Sequence, residues 1–327
     1  MRPQRRRLVR PAMVGVAAAV VVVAVALPLP APADGRPPES GYFETLPAGS
    51  WQSLPDDATC AGRVRPSTWE PRPENTAANR RMPDREAVRL SLSSRPRASQ
   101  QTYDQRWDTW LLARVSGRHT GTTDENIQWA ACKWGLSDNL LRAVAITESS
   151  WYQYLTDAAG RCVDKRGCGD EFDRATEASG VYCRGIGQFG YDYQRDYGPG
   201  KCPKTFSIIG VMSWQDPAWT DMSGNQNGTF PFNRDSTAFA LDYYGAFIRG
   251  CMEGWMWWLT GSPPSTQPRD LLWGCVGTWY AGAWMTAGAQ DYVKRVRKTL
   301  DSHSWLTLAP GMHVPQRGSR PKPTASR

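Results

Sequence analysis

SDNLLRAVAITESSW, residues 137–151, reads as a short amphipathic helix that ends on a carboxylate. Ser137 is a suitable N-cap, and it follows Gly135, a helix-stopping residue for the segment before it. Leu141, Val144 and Ala145 lie seven, four and three residues before Glu148, so at 3.6 residues per turn all four share one face. That face is apolar. Removal from water and the partial negative charge of a helix C-terminus both disfavour the anion of a carboxyl group placed there. A carboxyl group held neutral in this way can act as a general acid. The plainer alternative is a solvated glutamate in the last turn of a helix.

Outward from this helix, the 327 residues divide by composition into four segments. Residues 1–33 carry Arg2, Arg5, Arg6, Arg7 and Arg10, then an apolar run from Met13 to Leu29, then Ala31-Pro32-Ala33, a small-x-small cleavage site. This is the pattern of an export signal. Left uncleaved, the apolar run, close to membrane-spanning length, would serve as a signal anchor. Residues 34–100 are rich in Pro, Arg and Ser without sustained period, and are expected to form an extended, mostly disordered linker. Residues 101–308 form the expected folded unit, and 309–327 a disordered basic tail. The chain is therefore expected outside the cell, secreted or in the cell envelope.

Charge excludes one class of function. Removing the five arginines of the first segment from the formal +8 leaves +3, and the tail supplies Arg317, Arg320, Lys322 and Arg327. The folded part is near neutral, which argues against nucleic acid as a partner. Eight cysteines in an exported chain point to disulfides, with 105 possible connectivities. The pairs Cys162–Cys168 and Cys251–Cys275 are expected. No Cys-x-x-Cys occurs and His119, His303 and His313 are scattered, so no metal or other cofactor is expected.

Helical signals dominate the folded unit. Tyr103, Trp107, Trp110, Leu111 and Val115 have helical spacing, and Thr122-Thr123-Asp124-Glu125 is a capping box for a helix reaching about Trp134. Asn233 is placed to cap a long helix through Ala238, Leu241, Gly245 and Ile248. Further helices are expected over Asp270–Trp279 and Thr286–Leu300, the last with Tyr292, Val293 and Val296 inward. Between Tyr152 and Trp219 the glycines, aspartates and cysteines predict loops, short turns and a hairpin.

Three stretches in order carry a resemblance: Asn126 to Trp151, Arg184-Gly185-Ile186-Gly187-Gln188-Phe189, and Thr278-Trp279-Tyr280-Ala281-Gly282. They resemble the successive motifs of the soluble lytic transglycosylase family, within the lysozyme-like superfamily. Those motifs are a helix–turn–helix ending in Glu-Ser, then commonly Gly-Leu-Met-Gln, then commonly Ala-Tyr-Asn-Ala-Gly. The resemblance implies a mainly α, lysozyme-like domain with a disulfide-bonded, loop-rich insertion and disordered arms. It implies peptidoglycan glycan strands as the partner, with any membrane contact confined to an uncleaved signal.

The resemblance also assigns roles. Glu148 would be the catalytic acid and then base at the β-1,4 bond after N-acetylmuramic acid. The sugar's own N-acetyl group would be the nucleophile, and a 1,6-anhydro ring the product. Ser149 would position Glu148 or the N-acetyl group. Gly185, Ile186 and Gln188 would contact substrate, and Tyr280 would donate its phenol to Glu148. The chain departs from the pattern at Gly187, where methionine is usual, and at Ala281, where asparagine is usual. Those departures leave open a catalytically silent wall-binding protein on the same fold. A hydrolase acting on peptidoglycan, chitin or chitosan is open too, if Asp157, Asp164, Asp170, Glu171, Asp173 or Glu177 faces Glu148 as a second carboxylate. Of Trp255, Trp257, Trp258, Trp273, Trp279 and Trp284, most are expected in the core and one or two beside sugar rings.

Overall fold

The computed structural model describes residues 35–93, 104–157, 162, 166–168, 171–173, 201–203, 205–212, 227–259 and 261–308, with backbone alone at 171–173 and 201–203. The export signal (1–33), the basic tail (309–327) and the motif at Gly185, Ile186 and Gln188 lie outside them.

Helices form where local capping and apolar periodicity agree. Helix α4 (Thr123–Trp134) opens on the capping box: the Thr122 hydroxyl accepts the Glu125 N–H at 3.2 Å, and the Glu125 carboxylate accepts the Thr122 N–H at 2.6 Å. Gly135 ends it at φ 57°, a left-handed conformation that glycine adopts without cost. Helix α5 (Asp138–Ser149) then starts on Ser137, with Leu141, Val144 and Ala145 fully buried. Helix α7 (Thr237–Met252) is capped by Ser236, not by Asn233 as the sequence suggested. Asn233 lies in the preceding turn α6 (Phe232–Asp235), and its amide donates to the Val211 carbonyl at 3.0 Å. Helix α8 (Pro268–Ala281) and helix α9 (Ala287–Asp301, capped by Thr286) fall where periodicity placed them. The Trp107–Leu112 stretch is helical but widens to i→i+5 winding.

Helix α4 packs on α7, α8 on α9, and α9 on α5. The α4–α7 crossing depends on Gly245, where a Cβ would stand 2.2 Å from Trp134 Cδ1. Trp129, Trp134, Trp151, Trp255 and Trp305 are fully buried, so much of the aromatic content is core. Among the described residues the loop-rich region contains two antiparallel strand pairs. Strand β1 (Glu171–Asp173) pairs with β2 (Lys201–Pro203), and β3 (Thr205–Phe206) with β4 (Val211–Met212). The result is a mainly helical, disulfide-bonded unit. Cys162–Cys168 and Cys251–Cys275 are both bonded as expected, the latter joining α7 to α8. Among the described residues no helix is long and apolar enough to cross a membrane.

The segment read as an extended linker is instead folded onto the helices from residue 35 to 93. It contains α1 (Asp57–Ala61), α2 (Thr76–Asn79) and α3 (Arg85–Ser93). It buries Leu54, Cys60, Trp69, Val88 and Leu92. Polar contacts hold its extended parts: the Asp138 carboxylate accepts the Tyr42 N–H at 3.0 Å, and Arg249 donates to the carbonyls of Leu46 and Pro47 at 3.2 and 3.0 Å. The Cys60–Cys132 disulfide ties α1 to α4 across 72 residues, a loop length for which chain-entropy reasoning gives roughly 4 kcal/mol. The segment escaped sequence reading because it docks through backbone groups, single polar side chains, one disulfide and scattered apolar side chains, which leave no sustained period.

His119 gives the unit a pH dependence of definite sign. The ring is buried, stacks on Trp129 at 5.5 Å, and sets Nδ1 3.1 Å from Asn126 Oδ1. Burial pushes its pKa below 6.5, opposed by the Asn126 bond and the Glu125 charge. The unfolded chain therefore binds the proton more readily, and stability present above pH 6.5 is lost as pH falls from there through the depressed value. Urea titrations at pH 7 and pH 5 should show this loss, and His119→Gln should make it smaller.

Candidate functional site

The C-terminal end of α5 turns through an uncommon backbone conformation. Ser150 and Trp151 follow Glu148 and Ser149 with φ of 54° and 70°, two successive non-glycine residues in the left-handed region. Each such conformation costs on the order of 1–3 kcal/mol unless its surroundings enforce it. Arg72 Nε donates to the Ser150 carbonyl at 2.8 Å, Asn75 Nδ2 to the Trp151 carbonyl at 2.7 Å, and Trp151 Nε1 to the Arg142 carbonyl at 3.1 Å. Arg72 and Asn75 belong to the N-terminal segment. The segment expected to be an extended, mostly disordered linker thus fixes the backbone that carries Glu148.

A second clamp acts through the β3–β4 turn. Ser149 is buried, and its hydroxyl donates to the Ile208 carbonyl at 2.8 Å. Gln153 accepts the Ile208 N–H at 3.2 Å, and Trp279 Nε1 donates to the Ile209 carbonyl at 3.1 Å. These bonds set Gly210 against the carboxyl group. A Cβ at Gly210 (φ 65°) would lie 3.3 Å from Glu148 Oε2, so both the conformation and the close approach favour glycine.

Glu148 is half-buried at the centre of this arrangement. Its Oε1 accepts a hydrogen bond from the Tyr292 phenol of α9. Burial first, then the nearby Glu148 charge, pushes the Tyr292 pKa well above its ordinary value, so the phenol keeps its proton and remains a donor. Tyr244 of α7 is the third member. It is fully buried, and its pKa is also pushed well up, by burial and then by Glu148. Among the described residues its hydroxyl has no hydrogen-bond partner. Such an orphan costs about 1–3 kcal/mol. Tyr280 stacks on Tyr292 with ring centroids 5.0 Å apart and planes 7° apart, and is 56% exposed. An acid, a buried donor and an open aromatic face are thereby brought together.

Several sequence assignments shift. The phenol bonded to Glu148 is that of Tyr292, not Tyr280. Tyr280 instead forms the exposed ring beside it. Ser149 acts on the β3–β4 turn, its other bond being to the Ala145 carbonyl at 3.4 Å. Gly185, Ile186 and Gln188 lie outside the described residues; among the described residues the glycine set against Glu148 is Gly210. A signal for it existed. Gly210, Val211 and Met212 match the first three positions of Gly-Leu-Met-Gln, as Gly185, Ile186 and Gln188 match the first, second and fourth. Of the six tryptophans, Trp255 is buried, Trp257 is 60% exposed, and Trp279 reaches the turn over Glu148.

The chain matches no known protein family, no curated protein and no solved structure. What it does must be argued from the site.

Among the described residues, no group of three or more His, Cys, Asp or Glu side chains is placed to hold a metal ion. Of the acids considered as a second carboxylate, Asp164, Asp170 and Glu177 lie outside the described residues, and only the backbone is described at Glu171 and Asp173. Asp157 is half-buried. Among the described residues, the chemistry the site offers is proton transfer at the Glu148 carboxyl group, with aromatic surface beside it for a ring-shaped ligand.

Proposed function

We propose that the protein is an exported peptidoglycan lytic transglycosylase built on a lysozyme-like helical domain, with Glu148 as its single acid and base. The observation that carries this reading is the Glu148 carboxyl group itself. It is half-buried at a helix end, bonded to a buried tyrosine, closed on one side by the Gly210 turn, and flanked by the open ring of Tyr280. The disulfides suit export to an oxidising compartment.

In this mechanism Glu148 gives its proton to the glycosidic oxygen as the C1–O bond of N-acetylmuramic acid breaks. The acetamido carbonyl oxygen of the same sugar bonds to C1, forming an oxazolinium ion. The Glu148 anion, now accepting from Tyr292, takes the proton of the C6 hydroxyl. O6 then displaces the acetamido oxygen from C1, closing the 1,6-anhydro ring and leaving Glu148 protonated for the next cycle. One carboxylate suffices, because substrate supplies the nucleophile. Tyr280 stacks against a sugar face.

Digestion of purified sacculi followed by mass analysis of the soluble fragments tests the proposal. Anhydromuramyl ends, lighter than reducing ends by one water, support it. Reducing ends would instead assign a hydrolase on the same scaffold. Binding without any product at any pH would leave a wall-binding protein. Within the proposed mechanism, Tyr292→Phe removes the donor that steadies the Glu148 anion, and kcat on sacculi should fall roughly tenfold with the fold intact.

A further inference from the structure

We infer that Arg295 is a specificity residue at this site, reading a carboxylate carried by the muramyl side of the glycan. The inference rests on the glycosidase reading above for the identity of the ligand, and on Arg295's own surroundings for its chemistry.

Arg295 lies on α9, one turn beyond Tyr292, and is exposed. Its guanidinium carbon stands 5.5 Å from the Tyr280 ring centroid and 5.6 Å from that of Tyr292. The two stacked rings hold the cation by cation–π attraction, and Tyr292 is the residue bonded to Glu148. One ring therefore separates the candidate acid from a fixed positive charge. Among the described residues no carboxylate pairs with Arg295, whereas its neighbour Lys294 is paired with Asp291 at 3.1 Å. Arg297 and Lys298 are exposed on the same helix, and Arg297 covers the Trp273 ring at 4.6 Å. This edge of the site is cationic and aromatic, and Arg295 presents a planar donor fork suited to a carboxylate.

That charge discriminates among the β-1,4 glycans open to a glycosidase of this kind. Chitosan carries ammonium groups and is repelled. Chitin is neutral and gains nothing from a guanidinium. Peptidoglycan carries carboxylates on the O3 substituent of its muramic residues, either on the lactyl group itself or on the peptide attached to it. A guanidinium beside the acid favours the third substrate by position as well as by charge, since the muramyl sugar is the one whose C1 bond is broken.

The experiment is a binding titration of the full chain carrying Glu148→Gln, so that nothing is consumed, against insoluble sacculi. Three ligands are compared: native sacculi, sacculi with carboxyl groups blocked as methylamides, and glycan freed of its peptides by amidase. Adding Arg295→Gln should weaken binding to native sacculi about tenfold and leave binding to blocked sacculi unchanged, with a shallower salt dependence. Arg295→Lys, which keeps charge but loses the fork, should fall between. Retention of the Arg295 effect on peptide-free glycan assigns the lactyl carboxylate, and its loss there assigns the peptide. Equal ratios of native to blocked binding with and without Arg295 would overturn the inference. The outcome is separable from that of the enzymatic reading: Arg295-dependent binding with no cleavage by the parent protein would sink the transglycosylase and keep the carboxylate site. Cleavage without Arg295-dependent binding would do the reverse.

Discussion

Glu148→Gln should lower glycan turnover by about a hundred- to ten-thousandfold, the usual cost of removing a positioned acid and base. The substitution is nearly isosteric. The glutamine carbonyl can still accept from Tyr292, and the side chain can still pack against the Gly210 turn. Unfolding midpoints should therefore stay close to those of the parent, and sacculi should still sediment with the variant. What is lost is one proton that can leave and return. Release of soluble fragments from sacculi, followed over a range of pH, measures it. Turnover within a few fold of the parent would place the chemistry elsewhere and end the Glu148 mechanism.

Lys133→Met should destabilise the fold by about 3–5 kcal/mol, because it strands a buried anion. Lys133 is buried, and its ammonium donates to Asp242 Oδ2 at 2.8 Å, the Arg114 carbonyl at 2.6 Å and Ser116 Oγ at 3.2 Å, with Asp57 Oδ1 at 2.6 Å. Asp242 is wholly buried and also accepts from the Ser116 and Gly117 N–H groups and from Trp134 Nε1. Those three donors satisfy its oxygens but do not neutralise its charge. Urea unfolding should show the cost, while Lys294→Met, which breaks the solvent-exposed pair with Asp291, should barely move the midpoint. Matching effects from the two variants would show that the Lys133 network is not what joins α1, α4 and α7.

Features encoded within a few residues were legible in the sequence. The capping box at Thr122, the Ser137 cap and the Thr286 start all came from local patterns, and each is formed. Asn233 misled because its amide serves a contact 22 residues away. Of the site, Glu148 was legible, since the face it shares with Leu141, Val144 and Ala145 is a matter of helical period. The choice between Tyr280 and Tyr292 was not, because it depends on how α8 and α9 lie against each other. The place of Gly210 was not legible because its approach to Glu148 is set by long-range bonds from Ser149 and Trp279 to the β3–β4 turn. The 35–93 segment was least legible, as its docking relies on backbone groups and on isolated side chains such as Arg72, Asn75 and Cys60 whose partners lie far along the chain.

Trp305, near the last described residue, donates its indole N–H to the carbonyl of Pro38 at 3.0 Å, near the first. Head and tail of the folded unit thus meet at one point, the geometry in which circular permutation is tolerated. Any anchorage applied through either extension pulls on the same corner, so tension enters and leaves there without stretching the helices between.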